Sequence, residues 1–549
     1  MKRLFGNTGG LKASQIRGLE NLYRRRLPPQ FLITFELARD ISRLSRDIRR
    51  QIGLLINRQG KIAYVIVGDH QRIVIPDTSE YRTAPGRLKG LRCIHTHLNN
   101  EPLTKDDLTD LALLRLDIMA AITITKTGYL HRVHVGYILP TSSYGKPFQL
   151  LKPLNPNELD IGCLDLIHSL EAELTHLTSL YEADTGKERA LLVSVTTSSR
   201  KTAMDSLEEL EELALSSDTE IAGKILQQRR IINSKFLLGP GKLQDLIIIA
   251  LQKGVTLIIF DQELNPSQIG SITDQIDLKV IDRTQLILDI FAQRAQTKEG
   301  KLQVELAQLK YLLPRLVTKN TAMSRLTGGI GGRGPGETKL EINRRRVRDR
   351  IRRVENELLL VRKQRKQQKS KRKKKDLTVI SIIGYTNAGK STLLNTLTKS
   401  RVRAESRLFA TLDPSSRRLK FPKDIEVIIT DTVGFIKNLP KDLMVAFRAT
   451  LEELESADLL LHVIDISNPR FKDQIKSVEK ILSDLNLDGI PLIRVLNKKD
   501  LIDKTTVESL SRSLGGTAIS AKNKSTLMPL IKKMKTSIDH LKDRTAAQN

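Results

Sequence analysis

Hydrophobic positions first recur at helical spacing over residues 35–48, then in two short apolar runs, 53–57 and 62–67, joined by Arg58-Gln59-Gly60-Lys61. That pattern predicts an α+β domain over residues 1–186. From residue 187 the character changes. Apolar runs at 190–195, 220–223 and 255–260 alternate with helical patterns at 203–216, 242–253 and 266–276, which predicts a small α/β sheet closing near residue 296. Two stripes follow: Leu302, Leu306, Leu309 and Leu313, then Val347, Ile351, Val354, Leu358 and Val361. Alternating steps of four and three build the seam between packed helices. The glycine-rich stretch 328–338 lies between the stripes, so an antiparallel helical hairpin with a Gly-rich tip is the economical arrangement over residues 297–376. Residues 364–375 lose the apolar seam and read as a basic linker. Over 377–549, runs at 378–383, 426–430, 459–465 and 492–496 predict a doubly wound, mostly parallel sheet. The amphipathic segment 527–541 ends the pattern, and no sizeable C-terminal domain is expected after it.

At 549 residues the chain exceeds one hydrophobic core, in keeping with a multidomain α/β protein. Two cysteines, Cys93 and Cys163, lie far apart without metal-ligand spacing, so a disulfide framework is not expected and a reducing cytoplasm is. No apolar signal core opens the chain and no run is long enough to span a bilayer, which predicts a soluble protein. The net charge of +29 changes the picture more. Between residues 338 and 375 there are 18 Lys or Arg against 4 Asp or Glu, close to half of that excess. Nucleic acid is the natural acidic partner. With no tryptophan and few aromatics, backbone and shape recognition fit better than base stacking.

The chemistry centres on Gly384-Tyr385-Thr386-Asn387-Ala388-Gly389-Lys390-Ser391, a complete phosphate-binding loop between a strand and a helix that continues through Thr392. Its glycines let successive N–H groups face phosphate oxygens, Lys390 reaches the β and γ oxygens, and the Ser391 hydroxyl suits Mg²⁺. Phe409-Ala410-Thr411-Leu412-Asp413 occupies the first switch position, where Thr411 is placed to complete the Mg²⁺ and γ-phosphate shell. Asp431-Thr432-Val433-Gly434 ends a strand: Asp431 would hold Mg²⁺ through water and the Gly434 N–H would meet the γ-phosphate. Lys390, Thr411 and Gly434 are therefore the expected catalytic set.

The base is selected further along. Asp500 of Asn497-Lys498-Lys499-Asp500 can accept from guanine N1–H and N2–H₂, a pattern adenine lacks, and Ser520-Ala521-Lys522 supplies the closing loop. GTP and GDP are the expected ligands. Asn387 leaves two readings open: its side-chain oxygen holds K⁺ against the phosphates, or it caps the turn.

Three segments of the middle region, 236–242 (Phe-Leu-Leu-Gly-Pro-Gly-Lys), 260–268 and 280–284, resemble in content and order the N-terminal domain of the HflX family of ribosome-associated GTPases. The likeness spans roughly 187–549. It implies that the hairpin region reaches deep into the large ribosomal subunit; Arg325, Arg333, Arg344, Arg345 and Arg346 place cations along that projection, which favours rRNA contact over a solvated linker. It also implies that the ribosome stimulates hydrolysis, because Phe435 follows Gly434 where many regulatory GTPases carry a water-orienting glutamine. A monomer that splits or rescues ribosomes in its GTP state is the main expectation.

The first third holds a separate resemblance. Arg92-Cys93-Ile94-His95-Thr96-His97, with Thr104 and Asp107 downstream, is similar to the JAMM metalloprotease motif, with Thr for Ser and one residue fewer between. That implies zinc on His95, His97 and Asp107. Gln51 stands where the general-base glutamate belongs, and an amide takes no proton from water. A degenerate scaffold whose histidines bond locally is the preferred expectation over a zinc site. A GTP-regulated isopeptidase or amidase, and a GTPase timer in RNA modification, are the alternative functions.

Overall fold

The computed structural model describes residues 3–548 except 79, 82–86, 126–128, 141–146, 186, 277, 317–338, 374–377, 399–408, 410–414, 422–424, 433 and 437–453. Contact density divides the chain into two compact units, one of residues 1–211 with 218–281 and one of residues 212–217 with 282–549.

In the first unit, β1 (Phe5–Gly6), α1 (Ala13–Leu22) and α2 (Phe35–Ile48) precede the antiparallel pair β2 (Ile52–Asn57) and β3 (Ile62–Val67). Helix α2 starts on Thr34, whose hydroxyl accepts the Leu37 N–H, and buries the stripe Leu37, Ala38, Ile41, Ser42, Ser45 and Ile48. Next come β4 (Leu91–His97), α3 (Lys105–Leu113), β5 (Ile118–Ile124), β6 (Leu130–Ile138), β7 (Phe148–Leu150) and α4 (Cys163–Thr185). The seven strands form one mixed sheet in the order β1-β3-β2-β4-β5-β6-β7, with β4 and β5 parallel.

The chain continues through β8 (Arg189–Thr196), α5 (Arg200–Ser216), β9 (Glu220–Gln228), α6 (Pro240–Gln252), β10 (Leu257–Phe260), α7 (Pro266–Ile276) and β11 (Lys279–Asp282), all in the first unit save residues 212–216 and 282. The four-stranded order is β11-β10-β8-β9, with β8 parallel to both neighbours. Strand β9 is longer than the apolar run at 220–223 because it is the outermost strand, where Lys224, Gln227 and Gln228 retain access to water. A composition change separates residues 186 and 187, yet packing does not. Leu55, Cys93, Leu111 and Met119 share one hydrophobic cluster with Leu191, Val193, Ile247 and Phe260. Helix α6 buries Leu243, Leu246, Ile247, Ile248, Ala250 and Leu251, and it also meets α3 through Thr109 and Gln244, 3.0 Å apart.

The second unit opens with α8 (Arg283–Arg294), α9 (Lys298–Arg315) and α10 (Lys339–Lys373). Leu302, Leu306, Val354 and Leu358 form the expected seam, with Leu309 and Ile351 beside it and ion pairs Glu305–Arg350 and Lys310–Glu355 flanking it. The glycine-rich tip falls outside the described residues. The basic stretch from residue 364, expected as a basic linker, continues α10 as helix to Lys373. Lys, Arg and Gln are good helix formers, so loss of the seam does not end the helix.

The remaining elements are β12 (Thr378–Gly384), α11 (Lys390–Thr398), β13 (Ser415–Phe421), β14 (Ile425–Asp431), β15 (Leu459–Asp465), α12 (Phe471–Asp484), β16 (Leu492–Asn497), α13 (Lys504–Leu514), β17 (Thr517–Ala518) and α14 (Met528–Gln548). Their sheet order is β13-β14-β12-β15-β16-β17, parallel except for the β13–β14 pair. No helix among the described residues is long and apolar enough to cross a membrane.

Candidate functional site

Strand β12 lies between β14 and β15, so the loop leaving it emerges over the C-terminal edge of a parallel sheet, where α/β proteins bind ligands. Gly384 ends the strand at φ +149°, and a Cβ there would lie 2.3 Å from the Val463 carbonyl oxygen. Gly389, at φ +93°, has the same constraint from the Asn497 amide, also 2.3 Å from a built Cβ. Only glycine fits either position. Asn387 between them is exposed and left-handed, at φ +60°.

The Lys390 ammonium is buried and donates to the Tyr385 carbonyl at 2.8 Å. Burial pushes its pKa down to about 8, with the Asp431 carboxylate pulling the other way. Ser391 Oγ donates to Asp431 Oδ2 at 2.6 Å, joining the start of α11 to the end of β14. Two hard oxygens so close at a phosphate cradle suit Mg²⁺. Thr432 Oγ1 donates to the Ile382 carbonyl at 2.7 Å, fixing the segment that leads to Gly434. Thr392 continues α11 beyond the loop.

At the base end, Asn497 binds two loops at once. Its Nδ2 donates to the Ala388 carbonyl and its Oδ1 accepts the Ala521 N–H, each at 2.8 Å. Lys498 is left-handed, at φ +62°, and its ammonium pairs with Asp465 at 2.7 Å. A hydrogen bond from Ser520 and nearby Lys522 and Lys498 hold the exposed Asp500 below the usual carboxylate range, ready to accept two guanine N–H groups. Thr396 Oγ1 donates to the Ala521 carbonyl at 2.6 Å and fastens the closing loop to α11. Lys499 opens the short helical turn after Lys498, and its N–H donates to the Ile519 carbonyl at 3.2 Å; Lys522 ends the closing loop. Asn497 thus joins the phosphate loop at Ala388 to the closing loop at Ala521. Ala410, Thr411, Leu412, Asp413 and Val433 lie outside the described residues. Phe409 is described: left-handed and buried, it meets Phe291 of α8.

Sequence reasoning passed over Asp465, although an Asp ending the strand beside Asn497 was the available signal. It also missed the backbone pairing of Tyr385 with Phe435, which no side chain announces.

Three family descriptions match in succession: GTP-binding GTPase N-terminal over 204–292, GTP-binding GTPase Middle Region over 294–372, and 50S ribosome-binding GTPase over 379–498. GTPase HflX of Caldanaerobacter subterraneus subsp. tengcongensis is 50% identical over 317 residues, covering 58% of this chain and 74% of that protein. The chain belongs to the HflX family of GTPases. GTPase HflX of Escherichia coli is 45% identical over 316 residues, with 58% and 74% covered. Among solved structures, a GTP-binding protein from the archaeon Sulfolobus solfataricus in complex with GDP is similar at 27% identity, covering 65% of this chain and 99% of that one at a TM-score of 0.36. As an HflX GTPase, this protein binds GTP and hydrolyses it, and GTPases of this kind use Mg²⁺ with GTP. The matched regions begin at residue 204, so the seven-stranded sheet lies ahead of them.

That sheet carries a second constellation. His95, His97 and Asp107 offer ligand atoms within 4.8 Å of one another. His95 Nε2 is 2.9 Å from His97 Nε2 and 3.2 Å from Asp107 Oδ1. His97 Nδ1 is 2.9 Å from the Glu101 carbonyl, which turns Nε2 inward, and Thr104 donates twice to Asp107 Oδ2. Burial and the neighbouring His95 lower the His97 pKa, favouring neutral imidazole. Burial pushes the Asp107 carboxyl up, but the bonds to His95 and Thr104 outweigh it and leave the group well below the usual range. Gln51 is fully buried, and neither amide atom has a partner among the described residues. By alternation along the register that sets Gly53 opposite His95, Gln51 falls on the histidine face.

Proposed function

We propose that this GTPase docks on the large ribosomal subunit in its GTP state, splits or rescues ribosomes, and leaves after hydrolysis. The observation that carries the proposal is α10, a helix of 35 residues rich in Lys and Arg that precedes a domain matching the 50S ribosome-binding GTPase family. Arg345 and Arg346 are exposed on it and Arg344 is half-buried, an arrangement suited to rRNA phosphates. Arg325 and Arg333, assigned to the same role, fall outside the described residues. Ser391 would ligate Mg²⁺ directly, Asp431 through water, and Thr411 would complete the shell, with Lys390 and the Gly434 N–H meeting the γ-phosphate. Intrinsic turnover is slow because Phe435 cannot orient water, and the ribosome supplies the stimulus. The chain acts as a cytoplasmic monomer. Co-sedimentation with ribosomes tests this: retention with a GTP analogue and release with GDP is the expected result, and equal weak binding in both states overturns it.

The exposed, left-handed Asn387 supports a K⁺ site beside the phosphates. Hydrolysis faster in K⁺ than in Na⁺ is expected, and identical rates exclude it.

The convergence of His95, His97 and Asp107 supports a further reading, a JAMM-like domain able to hold zinc. Zinc would supply a Lewis-acidic centre there, while Gln51 supplies no base, so the domain binds rather than cleaves. Elemental analysis of the full chain after zinc loading is expected to give one ion per chain, lost in His97→Ala. Zinc absent from the wild type ends this reading.

A further inference from the structure

Helix α2 has two opposed faces. One buries Leu37, Ala38, Ile41 and Ile48 in the same cluster as Ile52, Leu54 and Ile94 of the seven-stranded sheet. The other presents Arg39, Arg43 and Arg46, spaced four and three and all exposed, so three guanidinium groups stand in one row. Arg49 ends the helix in the left-handed region, at φ +53°, and is exposed as well. Helix α1 runs antiparallel beside α2. Gln15 donates to Asp47 at 2.9 Å, a Cβ built at Gly18 would stand 3.0 Å from the Leu44 side chain, and Arg25 pairs with Asp40 at 2.9 Å. The last contact sets the run Arg24-Arg25-Arg26 beside the turn of α2 that carries Arg39, with Arg24 and Arg26 exposed.

Charge on this layer is unbalanced. Residues 12–50 hold nine Arg and one Lys against four Asp or Glu. Two of those acids are engaged, Asp40 by Arg25 and Asp47 by Gln15. The side chains of Arg24, Arg26, Arg39, Arg43, Arg46 and Arg49 have no hydrogen-bond or ion-pair partner among the described residues. A face that serves only solubility intersperses both signs. Like charges one helical turn apart instead destabilise the helix, a cost that an acidic partner removes. The choice of arginine names the partner's chemistry, because its planar fork binds phosphate through two N–H groups at once, whereas lysine acts as a point charge. A membrane surface fits less well, since the apolar face that would enter it is spent on the core.

We propose that the α1–α2 layer is a second RNA-docking surface, on which Arg39, Arg43 and Arg46 hold backbone phosphates and Arg24, Arg26 and Arg49 extend the contact. It lies ahead of the family-matched regions, which begin at residue 204, and uses neither α10 nor the nucleotide. Binding there is indifferent to GTP or GDP. It is also indifferent to base sequence, because phosphate contacts position a protein without reading bases. The ribosome docking proposed above goes through α10 and depends on GTP, so either proposal can fail while the other stands.

Fluorescence anisotropy of a labelled, mixed-sequence RNA duplex, titrated with the full chain at rising salt, tests this. The combined variant Arg39→Gln, Arg43→Gln and Arg46→Gln should weaken binding and reduce the slope of log affinity against log salt by about 2 to 3. The combined variant Lys472→Gln, Lys476→Gln and Lys480→Gln removes as much charge from an exposed row on α12 and should change the slope by less than about 1. An unchanged slope in the arginine variant, or equal changes in both, overturns the proposal. If the triple arginine variant does not fold, Arg43→Gln alone should reduce the slope by about 1, and no change there overturns it. Phosphatidylserine vesicles provide the competing partner: loss of vesicle binding in the arginine variant with an unchanged RNA slope assigns the face to a membrane and overturns the proposal.

Discussion

Phe409 meets Phe291 edge-on, with ring centroids 4.6 Å apart and planes inclined at 74°. Both rings are buried, so Phe409 packs against α8, a helix that precedes the nucleotide domain. An edge-to-face pair contributes about 1 kcal/mol beyond its area burial. Phe291→Ala and Phe409→Ala should each destabilise the chain by about 3 to 5 kcal/mol. A double-mutant cycle in denaturant unfolding should give a coupling of about 1 kcal/mol between them. Phe291→Ala should also speed GDP release measurably, and stopped-flow exchange reads that out.

Lys390 makes nucleotide binding depend on pH. In the nucleotide-free chain burial holds it at about 8, and phosphate oxygens stabilise the charged form, so its pKa rises in the complex. The bound state therefore carries the proton more often than the free state above pH 8, and binding takes up a proton there. Affinity should be flat below about pH 7.5 and fall with a slope approaching tenfold per unit above about 8.5. Fluorescent nucleotide titrations from pH 7 to 9.5 measure it. Lys390→Arg, which does not titrate in this range, should weaken binding and flatten the profile.

Much of the nucleotide site was legible because its chemistry demands particular residues in unbroken order. Gly384 and Gly389 are required by the carbonyl of Val463 and the amide of Asn497, and a motif records such contacts directly. His95, His97 and Asp107 were legible for the same reason, as two alternate strand positions followed by a capping-box Asp. What escaped was carried by backbone or by packing. The Tyr385 to Phe435 bridge uses only main-chain groups, so any residue but proline at 435 would have spelled it equally well. The shared core of the first unit depends on α6 being apolar on two sides, and helical periodicity does not say how many neighbours a helix has. The continuation of α10 past residue 364 was hidden because an amphipathic stripe reports a partner, not a helix.

If Asp500 reads the base, as proposed, it does so through acceptors alone. Guanine presents two donors on that edge, whereas xanthine replaces the exocyclic amine with a carbonyl. Asp500→Asn offers one acceptor and one donor, so it should weaken GTP by about 100-fold or more and bring xanthosine triphosphate into the same affinity range. Ser520, which holds the carboxylate in place, stays available to orient the amide. Competition binding with both triphosphates checks the swap, and preserved GTP affinity in the variant would place guanine recognition elsewhere.

The basic face of α10 makes a quantitative claim about salt. Each phosphate contact that a cation makes releases counterions, so the number of contacts appears in the slope of log affinity against log salt. Arg345 and Arg346 are exposed and Arg344 partly so, and Arg350, also exposed, pairs with Glu305 of α9 at 2.6 Å. Replacing residues 344 to 346 by glutamine should therefore lower ribosome affinity and reduce the slope by about 2 to 3, while Arg350→Gln should leave the slope nearly unchanged. The second variant is the charge control, since it loses a positive charge from the same helix and breaks the Glu305 ion pair that flanks the Leu302 to Leu358 seam. Equal slope changes from both variants would mean that overall charge, not the Arg344 to Arg346 surface, attracts the ribosome.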